Sequence, residues 1–325
     1  MLRTALSIFL AIFVLAAVAQ AQQTFDVYIL AGQSNADGRG LASDIPGNPL
    51  LSNPSGATIS YLNPSDPSDN GGTGDGDVSS GSFQNLGAGF SVAPGEGRIG
   101  NVPNGADYFG LELSFANAIG DATGSTNDVA IVKVTRGGTN LRNDWRAPTA
   151  TDPSSGFLYS ALISHVTDSL AELRADGSTA NVEGFLWHQG ESDSGNQTRI
   201  NNYPDLFTDL VAGVRGNFGS DIPVVLGELA ENRGGSVENG PSDNTQDFNN
   251  TLQTFVDTTL LTDISLVSSE GITTPDDDLT HFDALGQIEL GQRFASALAV
   301  TSVPEPSSLA ILGLLGSLAA FRRRR

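Results

Sequence analysis

The sequence predicts one α/β domain in which helices cover both faces of a central parallel sheet. Apolar runs with the composition of strands alternate with longer segments of helical periodicity over residues 22–302, and this alternation is typical of βαβ units. No segment repeats at the spacing of a solenoid, which is about 20 to 50 residues. The chain has no cysteine, so a packed core rather than disulfides must stabilise it.

Five strands and five helices are predicted in this part of the chain. Residues 27–31 form a continuous apolar run, as expected for a strand that is buried on both faces. The other predicted strands are 129–134, 182–187, 223–229 and 264–268. The predicted helices, in which apolar residues recur with helical spacing, are 111–119, 160–174, 203–217, 247–260 and 284–299.

Residues 40–107 interrupt the alternation of strands and helices. They are rich in Gly, Ser, Asn, Asp and Pro, which predicts a long loop insertion after the first strand and a wall or lid over a ligand cleft. Asp69, Asp75 and Asp77 are clustered among glycines, so a calcium site is an alternative to a solvated loop. The spacing of a calcium-binding EF-hand loop is missing, and the solvated loop is therefore the prediction.

The two ends of the chain have the composition of targeting segments. Residues 1–21 combine Arg3, an apolar run and a final Ala-Gln-Ala, as expected for a secretory signal peptide that is removed. Residues 303–325 begin with Val-Pro-Glu-Pro, continue with the apolar stretch 309–321 and end in four arginines. That stretch is short for a free-standing membrane span, which needs about 20 residues, and the arginines would stay on the cytoplasmic side.

The C-terminal pattern resembles the PEP-CTERM sorting signal of Gram-negative bacteria. The resemblance implies recognition and cleavage by an exosortase-type sorting machinery, and a location in the cell envelope, at the cell surface or outside the cell. An ordinary tail anchor is the alternative. Either interpretation places the domain at 22–302 outside the cytoplasm.

The charge of the chain is strongly acidic, with a formal net charge of −21. Leaving out both ends removes five basic residues and one acidic residue, which takes the net charge to −25. A surface of this charge repels nucleic acid and anionic lipid. The composition therefore excludes nucleic acid as a partner, while the oligomeric state is left open.

The first predicted strand leads directly into a turn that carries a serine. Gly32 ends the apolar run, and Gln33, Ser34 and Asn35 follow it. In open α/β sheets ligands bind at the carboxyl ends of strands, so Ser34 is well placed for chemistry. A free hydroxyl is a poor nucleophile, and Ser34 needs a general base.

Histidine is the obvious choice of base, and the chain has three. His281 follows Asp278 by three residues, a spacing at which the carboxylate can orient the imidazole on a turn, as in a Ser-His-Asp triad. Asp283 is the competing orienting group. His165 falls in a helical pattern, whereas His188 follows a buried strand and is expected to line the site without acting as the base.

Five segments together resemble the serine-esterase motifs of the SGNH hydrolase superfamily, and within it the sialate O-acetylesterase-like branch (carbohydrate esterase family 6). They occur along roughly residues 25–298 and are Gly32-Gln-Ser-Asn35, Phe109-Gly-Leu-Glu-Leu-Ser-Phe115, Lys133-Val-Thr-Arg-Gly-Gly-Thr139, Trp187-His-Gln-Gly-Glu-Ser-Asp193 and Asp278-Leu-Thr-His281. The resemblance implies a flavodoxin-like three-layer fold. It also implies a secreted esterase that removes O-acetyl groups from carbohydrate, with Ser34, His281 and Asp278 as its catalytic residues.

The same resemblance implies an oxyanion hole with three donors. They are the backbone N–H of Ser34, a glycine N–H after the second strand and the side-chain amide of Gln189. Alignment with the superfamily pattern favours Gly137 as the glycine, and Gly138 remains open. The expected supporting or substrate-binding residues are Gln33, Asn35, Glu112, Gly138, His188 and Glu191. Leu111 and Arg136 depart from the family pattern, which has a proline and a smaller residue there.

No metal is expected, because none of the supporting carboxylates has histidine neighbours at the spacing of metal ligands. The esterase chemistry that the resemblance implies requires no other cofactor. Trp145 and Trp187 are candidates for an aromatic platform under a sugar ring, with core packing as the alternative. Two other functions remain open: an esterase for non-carbohydrate esters, and a non-catalytic carbohydrate-binding surface protein on a hydrolase fold.

Overall fold

The computed structural model describes most of the central part of the chain, namely residues 22–65, 78–92, 108–234 and 243–302. The predicted signal peptide, the predicted sorting segment and the three aspartates of the alternative calcium site lie outside the described residues. Among the described residues, no helix is both long enough and apolar enough to cross a membrane. The apolar stretch 309–321 lies outside that part of the chain.

A mixed sheet forms the middle layer, and its six main strands are parallel. In spatial order they are β3 (Thr58–Asn63), β7 (Asp128–Thr135), β1 (Thr24–Gly32), β8 (Thr179–His188), β9 (Val224–Gly227) and β10 (Ile264–Val267). The short strands β4 (Val78–Ser79) and β5 (Gln84–Asn85) pair antiparallel with β3, and β2 (Gly40–Leu41) pairs separately with β6 (Tyr108–Phe109).

Helices cover both faces of this sheet. The helices are α1 (Ser34–Asp37), α2 (Glu112–Thr123), α3 (Phe157–Arg174), α4 (Gln197–Phe218), α5 (Asp243–Thr258) and α6 (Ala284–Ser302). Helices α3, α4 and α5 pack on one face, and α2 and α6 pack on the other. The predicted three-layer α/β architecture is therefore confirmed.

Residues 27–31 of strand β1 are all apolar because helices cover the strand on both faces. Val27, Ile29 and Ala31 belong to the core beneath α3 to α5, whereas Tyr28 and Leu30 belong to the core beneath α2 and α6. Successive side chains of a strand point to opposite faces, so a strand covered on both faces needs apolar residues at every position.

Residues 40–107 contain more regular structure than the sequence predicts. Residues 58–63 form a parallel strand of the main sheet, so the prediction of loops is wrong for this part. Two of its polar residues, Ser60 and Asn63, hid the strand, because they are buried and hydrogen-bonded rather than solvated. Ser60 Oγ lies 3.1 Å from His165 Nε2, and Asn63 Nδ2 donates to Asp37 Oδ1 at 3.2 Å.

All five predicted strands and all five predicted helices are present, although their ends differ from the predicted ones. Helix α4 begins at Gln197, well before the predicted start at 203. The Asn196 side chain accepts the N–H of Arg199 at 3.2 Å and caps the helix. Pro204, a residue common in first turns, lies inside the helix instead.

The order of the strands identifies one edge of the sheet as the place for a ligand. After β1 the chain builds β3 and β7 on one side, then crosses to β8, β9 and β10 on the other. The carboxyl end of β1 therefore lies at the topological switch point, where open α/β sheets bind their ligands.

Candidate active site

Ser34 begins helix α1 directly after β1, and a close contact with β8 positions it. Gly32 has φ 142°, and a Cβ at this position would lie 2.0 Å from His188 O. The Gln33 N–H donates to the same His188 oxygen at 3.0 Å. Only glycine permits this approach of the two strands, and the approach holds Ser34 at the switch point.

Ser34, His281 and Asp278 lie in a continuous chain of hydrogen bonds. Ser34 Oγ is 2.9 Å from His281 Nε2, and His281 Nδ1 is 2.6 Å from Asp278 Oδ2. The loop between β10 and α6 supplies both the histidine and the aspartate. Asp278 Oδ1 accepts the backbone N–H of Thr280 at 3.0 Å and of His281 at 3.3 Å, which orients the carboxylate.

The Asp278 carboxyl is suited to remain ionised. Burial alone would raise its pKa, but the hydrogen bond and charge of His281, together with two backbone N–H donors, outweigh burial and lower the pKa. Asp283, the competing orienting group, instead accepts from Thr273 Oγ1 and from the Gly286 N–H, each at 2.7 Å. It therefore caps the start of α6.

Asn35 joins the serine turn to the loop that carries His281. Its Nδ2 donates to Glu191 Oε1 at 2.6 Å and to Thr280 O at 2.9 Å. Its Oδ1 accepts the Phe282 N–H at 3.0 Å. Both neighbours of His281 in the chain are thus hydrogen-bonded to the residue after Ser34.

The two glycines after β7 differ in their relation to Ser34. A Cβ on Gly137 would lie 3.5 Å from Ser34 Cβ, whereas a Cβ on Gly138 would meet nothing within 4 Å. Gly138 has φ 75° and is exposed. Gly137 is therefore the glycine whose backbone lies next to the serine.

The side-chain amide of Gln189 is already engaged within the protein. Its Nε2 lies 2.7 Å from Asp193 Oδ2, 3.0 Å from Thr139 O and 3.2 Å from Gln33 Oε1. An amide nitrogen has two hydrogens, so these three acceptors occupy both. In this geometry Gln189 ties the loop after β7 to the loop after β8, and no N–H is left to donate to a ligand.

His188 and Glu191 are buried, and their hydrogen-bond and ion-pair partners are residues other than Ser34. His188 Nε2 lies 3.0 Å from Glu228 O, and Nδ1 lies 3.8 Å from Glu191 Oε1. Burial lowers the pKa of His188 despite the nearby Glu191 carboxylate, so the imidazole is neutral. Both residues support the loops around the site, and His281 is the histidine that reaches Ser34.

A buried group of charged residues lies beneath the serine turn, and of its members the sequence predicts only Glu112 as a site residue. Lys133, on β7, is fully buried and donates to Asp37 O at 2.7 Å and to Phe90 O at 2.8 Å. It also forms an ion pair with Glu112 at 3.0 Å. Glu112, predicted as a supporting residue, accepts the Gly110 N–H at 2.9 Å, and burial raises its pKa although Lys133 opposes this effect.

Asp37 is the carboxylate at the centre of this group. Its Oδ1 accepts from Thr135 Oγ1 at 2.6 Å and from Tyr61 Oη at 2.7 Å, and its Oδ2 pairs with Arg39 at 3.2 Å. Burial raises the pKa of Asp37, but the charges of Arg39 and Lys133 and the two hydroxyl donors outweigh it, so the pKa is lowered. The sequence does contain one signal of this buried group, namely Lys133 within the otherwise apolar part of strand β7. Lysine is seldom buried without a partner, so a lysine at that position indicates a buried carboxylate nearby.

The two tryptophans are core residues. Trp145 and Trp187 are 0 % and 1 % exposed, and their rings pack edge to face at 5.1 Å. The possible aromatic platform for a sugar is therefore not formed by these residues. Within the described residues, no group of three or more His, Asp or Glu side chains is arranged to hold a metal ion.

Two family models match the chain. One, described as carbohydrate esterase, sialic acid-specific acetylesterase, matches residues 84–300. The other, described as PEP-CTERM protein-sorting motif, matches residues 302–325 and indicates export and sorting to the surface of a Gram-negative cell. A comparison with the curated proteins finds no match.

Solved structures share the fold at low sequence identity. An Arabidopsis thaliana protein has a TM-score of 0.59 and 18% identity, with 87% of this chain and 100% of that chain covered. A carbohydrate acetylesterase from Xanthomonas citri has a TM-score of 0.54 and 18% identity, with coverages of 85% and 56%. NanS has a TM-score of 0.52 and 16% identity, with coverages of 86% and 98%.

These findings confirm the resemblance that the sequence motifs indicate. The first family model spans well over half of the chain, and the folds of the Xanthomonas acetylesterase and NanS agree with it. The protein therefore belongs to the carbohydrate esterase family of sialic acid-specific acetylesterases and carries a C-terminal PEP-CTERM sorting motif.

Proposed function

We propose that this protein is a secreted serine esterase that removes O-acetyl groups from carbohydrate through an acetyl-enzyme on Ser34. The observation that carries the proposal is the hydrogen-bonded chain from Ser34 Oγ to His281 Nε2 at 2.9 Å and from His281 Nδ1 to Asp278 Oδ2 at 2.6 Å. Such an arrangement activates a hydroxyl, because the imidazole takes its proton during attack.

In the first half-reaction Ser34 Oγ attacks the acetyl carbonyl carbon while His281 Nε2 accepts the hydroxyl proton. The tetrahedral intermediate then collapses, the bond between the acetyl carbon and the sugar oxygen breaks, and His281 gives its proton to that oxygen. Asp278 stays ionised, holds the imidazole in one tautomer and stabilises the imidazolium. The sugar leaves with a free hydroxyl.

In the second half-reaction water replaces the sugar. The water oxygen attacks the acetyl carbon while His281 takes one of the two water protons. His281 then returns this proton to Ser34 Oγ as the bond between Oγ and the acetyl carbon breaks, and acetic acid leaves and gives its remaining proton to the solvent to become acetate. Every atom in both half-reactions comes from the ester, Ser34, His281 and water, so the mechanism uses no cofactor.

The negative charge on the carbonyl oxygen needs donors that are already in place. The proposed donors are the backbone N–H groups of Ser34 and Gly137. Ser34 is the first residue of α1, so its N–H has no partner inside the helix. Gln189 is left out of this proposal, since its amide hydrogens face Asp193, Thr139 and Gln33.

An acetylated carbohydrate is the proposed substrate class. Support comes from the family description, which names carbohydrate esterases, and from the Xanthomonas citri neighbour, which is described as a carbohydrate acetylesterase. We propose residues 22–302 as the esterase domain, residues 1–21 as its signal peptide and an exosortase as the partner of residues 303–325.

Acetate release tests the proposed function. The purified protein is assayed on p-nitrophenyl acetate, acetylated xylan and O-acetylated sialic acid, together with Ser34→Ala. We expect the wild type to release acetate and Ser34→Ala to lose at least about 10³-fold in kcat. Ser220→Ala, an exposed serine before β9, is the matched control and should keep wild-type activity.

Acid quenching followed by mass spectrometry tests the intermediate. An acetyl group is expected on the peptide that contains Ser34 during turnover of the wild type, and not in Ser34→Ala. Equal acetate release by wild type and Ser34→Ala would refute the esterase proposal, and sugar binding without hydrolysis would then favour a non-catalytic carbohydrate-binding protein.

Asn35→Ala tests how the serine turn is held against the loop that carries His281. The substitution removes the hydrogen bonds to Glu191, Thr280 and Phe282, so the imidazole should lose its alignment with Ser34. We expect kcat to fall by about 10- to 100-fold, since small misplacements of reacting groups have effects of this size. Asn201→Ala, on an exposed part of α4, is the control, and equal kcat values for the two variants would contradict the prediction.

A further inference from the structure

Arg39 places a fixed positive charge beside the serine turn. Its Nη1 donates to Asp37 Oδ2 at 3.2 Å, to Gly38 O at 3.1 Å and to Val92 O. Three acceptors on one nitrogen fix the guanidinium plane. The side chain is only 14% exposed, so water screens its charge poorly.

The second nitrogen of this guanidinium is directed toward the site. Within the described part of the chain, Nη2 has no hydrogen-bond acceptor. It lies 3.4 Å from the point that a Cβ of Gly137 would occupy, and the same point is 3.5 Å from Ser34 Cβ. An atom of a ligand in the space left by Gly137 would therefore contact both Arg39 and Ser34.

Arg136, the residue before Gly137, interacts with residues away from Ser34. Its Nη1 donates to Pro64 O at 2.6 Å, and its guanidinium carbon lies 5.9 Å from the centre of the Phe157 ring. Arg39 is thus the arginine that borders the space between Gly137 and Ser34.

The site also lacks the side-chain donor that the family resemblance implies. Both amide hydrogens of Gln189 are taken by protein acceptors. Two backbone N–H groups would then have to stabilise the oxyanion without a third donor. A guanidinium supplies a hydrogen bond and a full positive charge, and it stays protonated throughout the reaction.

We propose that Arg39 is the third donor of the oxyanion hole, with Nη2 donating to the carbonyl oxygen of the acetyl group as that oxygen becomes negative. This inference rests on the proposed esterase function. The electron pair of the carbonyl π bond moves to the oxygen as the bond to Ser34 Oγ forms, and Arg39 keeps all of its protons. The same nitrogen binds the carboxylate of the product acetate.

Arg39→Gln and Arg39→Lys test this role in the full chain with p-nitrophenyl acetate, which carries no charge that Arg39 could recognise in the leaving group. We expect kcat to fall about 100-fold in Arg39→Gln, the size found when one oxyanion donor is removed, with a smaller fall in Arg39→Lys and KM nearly unchanged. Arg215→Gln is the matched control, because Arg215 donates to the carbonyls of Ile222 and Thr262 at the opposite edge of the sheet.

Product inhibition separates this role from a purely structural one. At neutral pH, acetate should inhibit Arg39→Gln at least about 10-fold more weakly than the wild type. Inhibition by acetamide should weaken much less, because its uncharged carbonyl oxygen loses a hydrogen bond to Nη2 but no attraction between opposite charges. Equal weakening for acetate and acetamide would show a distorted site and would overturn the inference.

Two further results bear on the inference and on the proposed function separately. If Arg39→Gln keeps the wild-type kcat on p-nitrophenyl acetate while Ser34→Ala is inactive, Arg39 is not an oxyanion donor and only this inference fails. If the wild type shows no release of acetate that depends on Ser34, the esterase function fails and the inference fails with it.

Discussion

Replacing His281 by alanine is expected to lower kcat for acetate release by about 10⁴- to 10⁶-fold, as for other residues that act together with a nucleophilic serine. Ser34 Oγ would lose its hydrogen bond to Nε2, and Asp278 would lose the one to Nδ1. No other histidine can replace the base, because His188 is buried and bonded to Glu228 O.

The control for this substitution is His165→Ala. His165 lies on α3, where Nε2 contacts Ser60, so its loss should leave kcat within about two-fold of the wild type. Exogenous imidazole should restore part of the activity of His281→Ala, since it can occupy the vacated space and accept the serine proton. Activity of His281→Ala close to that of the wild type would refute the role of general base.

Replacing Lys133 by methionine is expected to lower the free energy of unfolding by about 3 to 5 kcal/mol, the effect of leaving one charge of a buried pair alone. Lys133 is the single lysine of the chain, and it is fully buried between Glu112, Asp37 O and Phe90 O. Methionine is of similar length and fits an apolar strand, so the loss should come from the unpaired groups and not from a cavity.

Urea unfolding followed by tryptophan fluorescence measures this effect, since both tryptophans lie in the core. The double variant Lys133→Met/Glu112→Gln removes both charges and should be more stable than Lys133→Met alone, because the uncompensated carboxylate is gone. A cost below about 1 kcal/mol for Lys133→Met would mean that water reaches the pair, as it does at surface ion pairs.

The same ion-pair group also supports the active-site turn. Asp37 ends α1, three residues after Ser34, and binds Arg39 together with residues of β3 and β7. A weakened Lys133 contact is therefore expected to loosen the turn as well as the core, so activity should fall by more than the unfolded fraction of the protein explains.

Local patterns were sufficient for most of the architecture. Alternating apolar runs and helical periodicity predicted strands β1, β7, β8, β9 and β10 and helices α2 to α6, since each of these elements buries a face that its own sequence shows. Strand β3 was not predicted, because its polar residues Ser60 and Asn63 are buried against partners from distant segments. Ser60, for example, contacts His165, which is 105 residues away.

Among the candidate site residues, sequence motifs placed Ser34, Asp278 and His281 in one group, and the three-residue spacing suggested how Asp278 orients His281. Nothing in the sequence shows that Ser34 and His281, 247 residues apart, come within 2.9 Å. That proximity depends on the crossing order of the strands and on Asn35, which bonds the two loops.

The sequence by itself determined the α/β class, the order of the main elements, the acidic character, the family motifs and the sorting motif, because composition and periodicity are properties of contiguous residues. Only the tertiary structure decided which partners the polar groups choose. Gln189 bonds to Asp193 and Thr139, Lys133 pairs with Glu112, and Arg39 Nη2 is left beside Gly137. A hydrogen bond or ion pair depends on distances between segments that are remote in the chain, and those distances exist only once the sheet has formed.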